Sequence, residues 1–165
     1  MSLRKRYPLQ TLIQLREHRT ELARQALFEK QRETQACRDQ CTRIQDEIDV
    51  LDRDHAHQRM QLLAPPPPGM SLTAALEQRE HHINHLGELA TAARGRLRQA
   101  QQALQKAELA QEEARNAYFR ARARQEALEK RRELWRKDQR SSEARREEIV
   151  AEDLLFGRRP SLISS

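Results

Sequence analysis

From Leu9 onward, apolar residues recur with alternating steps of four and three. Leu9, Ile13, Ala23, Leu27, Cys37, Cys41, Ile44, Ile48, Leu51 and Leu62 fill ten of the sixteen positions that this rule visits up to Leu62. A seam of period 3.5 held over so many turns marks a coiled-coil helix, because it keeps one stripe facing a partner as the helix winds. A second seam begins at Leu72 and runs through Leu76, Ile83, Leu86, Ala90, Ala93, Leu97, Ala100, Leu104 and Ala107 to Leu128 and Trp135. Alanine recurs at one heptad position at Ala93, Ala100, Ala107, Ala114 and Ala121. Side chains this small let a neighbouring helix come close, so the stripe reads as packing surface.

Between the seams stands APPPPGM, Ala64–Met70, which holds four of the six prolines in the chain. Helix cannot run through Pro65–Pro68, since each proline lacks an N–H and pushes the residue before it into extended geometry. A flexible linker would separate two self-sufficient domains, yet neither seam can bury its stripe alone. The tract therefore reads as a turn that stops one helix and folds the next back on it, although four prolines also form a short polyproline II segment of the kind that partners recognise. The expected fold is all-α: a long two-helix antiparallel coiled-coil hairpin with unequal arms. As one coiled-coil domain it comprises helix 8–63, a proline-rich turn 64–70, helix 71–156 and a flexible tail 157–165. Pro8 suits the first helical position of one arm, and Ser71 suits the N-cap of the other. A symmetric reversal makes facing residue numbers add to about 135, so that everything beyond Leu128, including Trp135, projects past the N-terminus.

Composition supports helices without a thick core: 37% of the 165 residues are hydrophobic, 4% aromatic and 34% charged. No apolar run approaches the roughly 20 residues of a membrane span, and MSLRKRYPLQ lacks the apolar stretch of a signal peptide. A cytoplasmic or membrane-peripheral protein is expected. The net charge is +6, and Arg120–Arg146 alone carries eleven Lys or Arg against five Asp or Glu, so this segment accounts for the whole surplus. One local positive zone points to a particular partner rather than to a uniform nucleic-acid coat.

Chemistry-bearing residues are few. His55 and His57 on one arm approach His81, His82 and His85 on the other, and the i,i+4 spacing of His81 and His85 suits two imidazoles on one metal. No cysteine or committed carboxylate joins them, so His55, His81 and His85 read as a solvated cluster, with no metal and no cofactor. Cys37 and Cys41 lie on the seam, where a pair four apart in one helix has poor disulfide geometry, and they read as small buried apolar residues. Phosphate-cradling glycine loops and nucleophile elbows are absent, and a two-helix hairpin offers no concave pocket in which carboxylates could be perturbed. Neither catalysis nor a small-molecule substrate is expected. Large apolar residues that miss the seam carry more information: Leu12, Leu15, Leu22, Phe28, Leu109, Phe119 and Leu134. Interleaved with Arg120, Arg122 and Arg124, they describe a helical end gripped by another protein.

The opening KRYPLQTLIQLREHRTELARQAL, with Tyr7, Pro8, Leu9, Gln10, Leu12, Leu15, Arg16, Glu17 and Ala23, resembles the N-terminal signature of the FliJ/YscO family of type III secretion stalk proteins. The closing basic-then-acidic run, with Arg131, Arg132, Glu143, Arg145, Glu147, Glu148, Glu152 and Asp153, resembles the end of the same family. That resemblance implies a central stalk, peripheral to the inner-membrane apparatus, whose two chain ends enter the pore of a hexameric secretion ATPase while the hairpin reaches an export-gate membrane protein. It also implies contact with export chaperones. On this reading Arg120, Arg122, Arg124, Arg131, Arg132, Arg136 and Lys137 meet acidic pore loops, and Leu12, Leu15, Leu22, Leu134 and Trp135 supply apolar contacts. Pro65, Pro66, Pro67, Pro68 and Gly69 face the gate. The tetraproline departs from flagellar members and favours the injectisome branch. Two other classes compete: a nucleic-acid-binding coiled coil using the same basic segment, ranked lower because Glu126, Glu129, Glu133 and Asp138 interrupt it, and a self-associating structural rod.

Overall fold

A computed structural model describes residues 5–157. The described residues form two helices, α1 over Gln10–Met60 and α2 over Leu72–Gly157, of 51 and 86 residues. The fold is an all-α antiparallel coiled-coil hairpin with unequal arms, as the two seams predict. It divides into two compact units, residues 5–24 with 116–157, and Gln25–Arg115.

The seams account for the burial pattern. Every seam position from Ile13 to Leu62 and from Leu76 to Trp135 is buried or half-buried, while Leu9 and Leu72 at the seam ends are exposed. In the Gln25–Arg115 unit the core is thin, built from Ile44, Ile48 and Ala93 with Leu51, Leu97 and Ala100 packed against them. The alanine stripe brings the backbones close enough for Thr34, fully buried, to place Oγ1 3.2 Å from the carbonyl of Ala107 and 2.9 Å from that of Lys30. Its single hydroxyl proton thus serves both its own helix and the facing one. Outside this core the helices are laced by a fork-to-fork pair, Arg96 Nη2 to Glu47 Oε1 at 2.7 Å and Nη1 to Oε2 at 3.1 Å, and by Arg94 to Asp52 at 2.8 Å. The side chains of both pairs are exposed, so solvent and salt screen them strongly and they add more to register than to stability.

Helix α1 ends earlier than the expected Leu63. The amides of Leu62 and Ala64 donate to the carbonyls of Arg59 and Gln61, three residues back, which tightens the last turn before Pro65 stops it. Ser71 caps α2: its Oγ accepts from the Ala74 amide at 3.2 Å, and its carbonyl accepts from Ala75. Gly157 continues α2, and residues 158–165 of the expected tail lie outside the described residues.

The symmetric register does not hold. In the Gln25–Arg115 unit Thr34 faces Ala107 and Leu62 faces Arg79; in the other unit Gln10 faces Arg132 and Tyr7 faces Trp135. Facing numbers therefore add to 141 or 142 rather than 135. The reason lies in the turn. A proline tract advances about 3.1 Å per residue and a helix about 1.5 Å, so α2 needs about twice as many residues to return to the level the tract left.

Candidate partner-binding surfaces

The terminal unit pairs residues 5–24 with α2 from Asn116 onward. Its register places Trp135 against Tyr7, with ring centroids 5.5 Å apart and planes tilted by 58°. Trp135 and Arg132 are half-buried seam residues, so neither projects past the N-terminal segment as the symmetric hairpin implied. Arg132 Nη1 approaches Gln10 Oε1 at 3.5 Å, and its Nε is buried without a partner.

The remaining basic residues point outward: Arg120, Arg122, Arg124, Arg131, Arg136 and Lys137 are all exposed. Two are tied locally, Arg122 Nε to Glu126 Oε1 at 2.9 Å and Arg136 Nη1 to Glu133 Oε1 at 3.3 Å. The Glu126 hydrogen bond raises the Arg122 pKa above its ordinary value. No ion pair among the described residues engages Arg120, Arg124, Arg131 or Lys137. Of the apolar candidates, Leu15 and Leu22 are exposed, Leu12 is half-buried, and Leu134 is 61% exposed.

Beside the aromatic pair lies an open groove of about 820 Å³, lined by Lys5, Arg6, Gln139 and Arg140 among others. Sequence reasoning missed these residues. The seam rule continues past Trp135 to Gln139 and Ser142, both half-buried. A count restricted to apolar residues passes over such polar positions.

At the turn, the Met70 amide donates to Pro67 O at 3.2 Å, and Gly69 takes φ +85°. Proline and then left-handed glycine at the two central positions is the signature of a type II turn. The side chain of Arg79 holds the approach to it. Nη1 donates to the carbonyls of Leu62 at 3.0 Å and Ala64 at 2.7 Å, and Nη2 to Pro65 at 3.2 Å. A cation is well placed there, since the carbonyls at a helix C-terminus have no intrahelical donor and carry partial negative charge. Arg79 falls on the α2 seam between Leu76 and Ile83, and a lone arginine on that stripe close to a helix end is the signal the sequence carries. Pro65, Pro67, Pro68 and Gly69 are exposed and Pro66 is half-buried, flanked by Met60 at 86% and Leu63 at 82% exposure.

His81 and His85 are exposed and His55 is half-buried; among the described residues no three His, Cys, Asp or Glu side chains converge on a metal position. Cys37 and Cys41 are free and half-buried. No described helix is long and apolar enough to cross a membrane.

Comparison with known proteins agrees with this architecture. No curated protein matches the sequence. Among solved structures, a chain of Chlamydia trachomatis, CT670, described as a YscO homolog, superposes with a TM-score of 0.72 at 19% identity, over 91% of this chain and 92% of that one. At that identity the likeness establishes the fold. The YscO-like protein family model matches residues 4–156. The chain belongs to the YscO-like family of type III secretion stalk-like proteins.

Proposed function

We propose that the chain is a non-enzymatic central stalk whose terminal unit enters the pore of a hexameric secretion ATPase, stimulates it and couples it to the export gate. One observation carries the reading: the chain's entire positive surplus sits on Arg120–Arg146, and Arg120, Arg124, Arg131 and Lys137 stand exposed there without an ion pair among the described residues. Acidic pore loops are the complementary surface, with Leu134 as an exposed apolar contact and Trp135 stiffening the helix pair behind it. A two-helix shaft is asymmetric and a ring of six subunits is not, so each subunit meets a different face. Contacts that differ between subunits bias their conformations without a catalytic group from the stalk. The turn Pro65–Gly69 would meet the gate protein at the cytoplasmic side of the inner membrane, and export chaperones would be further partners.

The test is steady-state ATP hydrolysis by the purified ATPase with and without the chain. Stimulation is expected, and it should be lost with Arg131→Glu combined with Lys137→Glu, both exposed positions. An ATPase indifferent to the chain would sink the proposal.

A further inference from the structure

Arg79 does more than finish α1. Its three hydrogen bonds to Leu62, Ala64 and Pro65 hold the chain entering the proline tract, and the Gly69 turn holds the chain leaving it. Between these two fixings every φ is set by a proline ring, and each residue before a proline is confined to extended geometry. Pro65–Pro68 is thus held near polyproline II geometry before any partner arrives. Such a helix repeats every three residues, so Pro65 and Pro68 fall on one side of it. Both are exposed, as is Pro67, while Pro66 is half-buried, so it is the threefold repeat that sets Pro65 and Pro68 on a common side.

We propose that Pro65 and Pro68 form an outward ridge that docks into a groove lined by aromatic side chains on a partner protein, and that Arg79 is the residue that pre-forms it. The proposal rests on the reading of this turn as a partner contact and names the chemistry of that partner. Grooves of Trp and Tyr accept a P-x-x-P face because the rings stack on proline and little conformational entropy remains to be lost. Met60 and Leu63, the most exposed large apolar side chains among the described residues, precede the ridge at the end of α1 and extend the apolar contact.

The probe is a proline-reading EVH1 domain, selected because it binds the free peptide Leu62–Leu72, and titrated calorimetrically against the full-length chain. The chain should bind about three- to tenfold more tightly than the peptide, since rigidifying a ligand in its bound form lowers the cost of binding. Pro65→Ala with Pro68→Ala should abolish binding and leave the helical circular dichroism unchanged. Arg79→Ala should lower affinity part of the way toward that of the free peptide, because the Gly69 turn still holds the exit, and Arg79→Lys, which keeps the charge without the planar fork, should fall between that variant and the wild type. A chain that ignores a domain its own peptide binds would overturn the proposal. So would a double proline variant that binds like the wild type, or sedimentation with phosphatidylglycerol vesicles that depends on Met60 and Leu63 but not on the prolines. Because the EVH1 domain is not the gate protein, these outcomes are independent of whether the gate touches the turn: a chain that binds the domain but not the gate sinks only the gate contact.

Discussion

Replacing Gly87 and Gly95 by alanine should stabilise the protein, although both glycines lie inside α2. Glycine in a helix interior is less favourable than alanine by about 0.8–1.0 kcal/mol, because its backbone loses more freedom on folding. Whether alanine recovers that depends on space. A Cβ at Gly95 would meet nothing within 4 Å, and one at Gly87 would stand 3.8 Å from His55 Nε2, an ordinary contact. The two sites are eight residues apart, about 12 Å along the helix, so the effects should add to about 2 kcal/mol. For a chain of this size that corresponds to a rise in Tm of about 4–8 °C. Gly69→Ala supplies an internal control with the same chemical change. Its φ of +85° is one that a side chain rarely tolerates, so the variant should lose about 1 kcal/mol or more despite open space around it. Thermal and denaturant unfolding followed by circular dichroism reads all three. A Gly95→Ala variant less stable than the wild type, or a Gly69→Ala variant as stable, would refute the reasoning.

Three further outcomes are expected. Ile48→Ala, at a position 3% exposed in the core of the Gln25–Arg115 unit, should cost about 2–4 kcal/mol, whereas Leu134→Ala should stay within about 0.5 kcal/mol; denaturant titration separates them. Tyr7→Ala should shift the emission of Trp135, the only tryptophan, to longer wavelength, and unchanged emission would contradict the observed register. The Arg96 hydrogen bond holds the Glu47 pKa below the ordinary carboxylate value, so the pair's stabilisation is present above that ordinary value and is lost as pH falls through the lowered one. Glu47→Gln should therefore lower Tm slightly near pH 7 and not at all once the carboxylate is protonated, and about 0.5 M salt should shrink the difference at pH 7, because both groups are exposed.

The fold was legible because its determinant is one-dimensional. A seam of period 3.5 needs only residue order to be seen, and its scattered polar members, Thr20, Lys30 and Thr34, proved buried or half-buried along with the apolar ones. The proline tract announced a reversal for an equally local reason, since proline chemistry forbids helix whatever surrounds it. Ser71 as cap belongs to the same class, because a cap is satisfied within its own first turn.

Facing relationships were a different matter. The seam repeats every seven residues, so sliding one arm past the other by one heptad leaves the apolar pattern satisfied, and periodicity alone cannot choose among such registers. The choice fell to the unequal rise of proline segment and helix at the turn, and to side chains that reach across: Thr34 to Ala107, Arg96 to Glu47, Arg79 to the carbonyls before Pro65. That choice turned Trp135 from a projecting anchor into the partner of Tyr7, and Arg79 from a defect in a stripe into the clamp of the turn. The sequence by itself determined two helices, their seams, the reversal and the location of the positive charge, all of which depend on neighbours within a few turns. Tertiary structure decided which residues face each other, because that depends on distances no local pattern encodes.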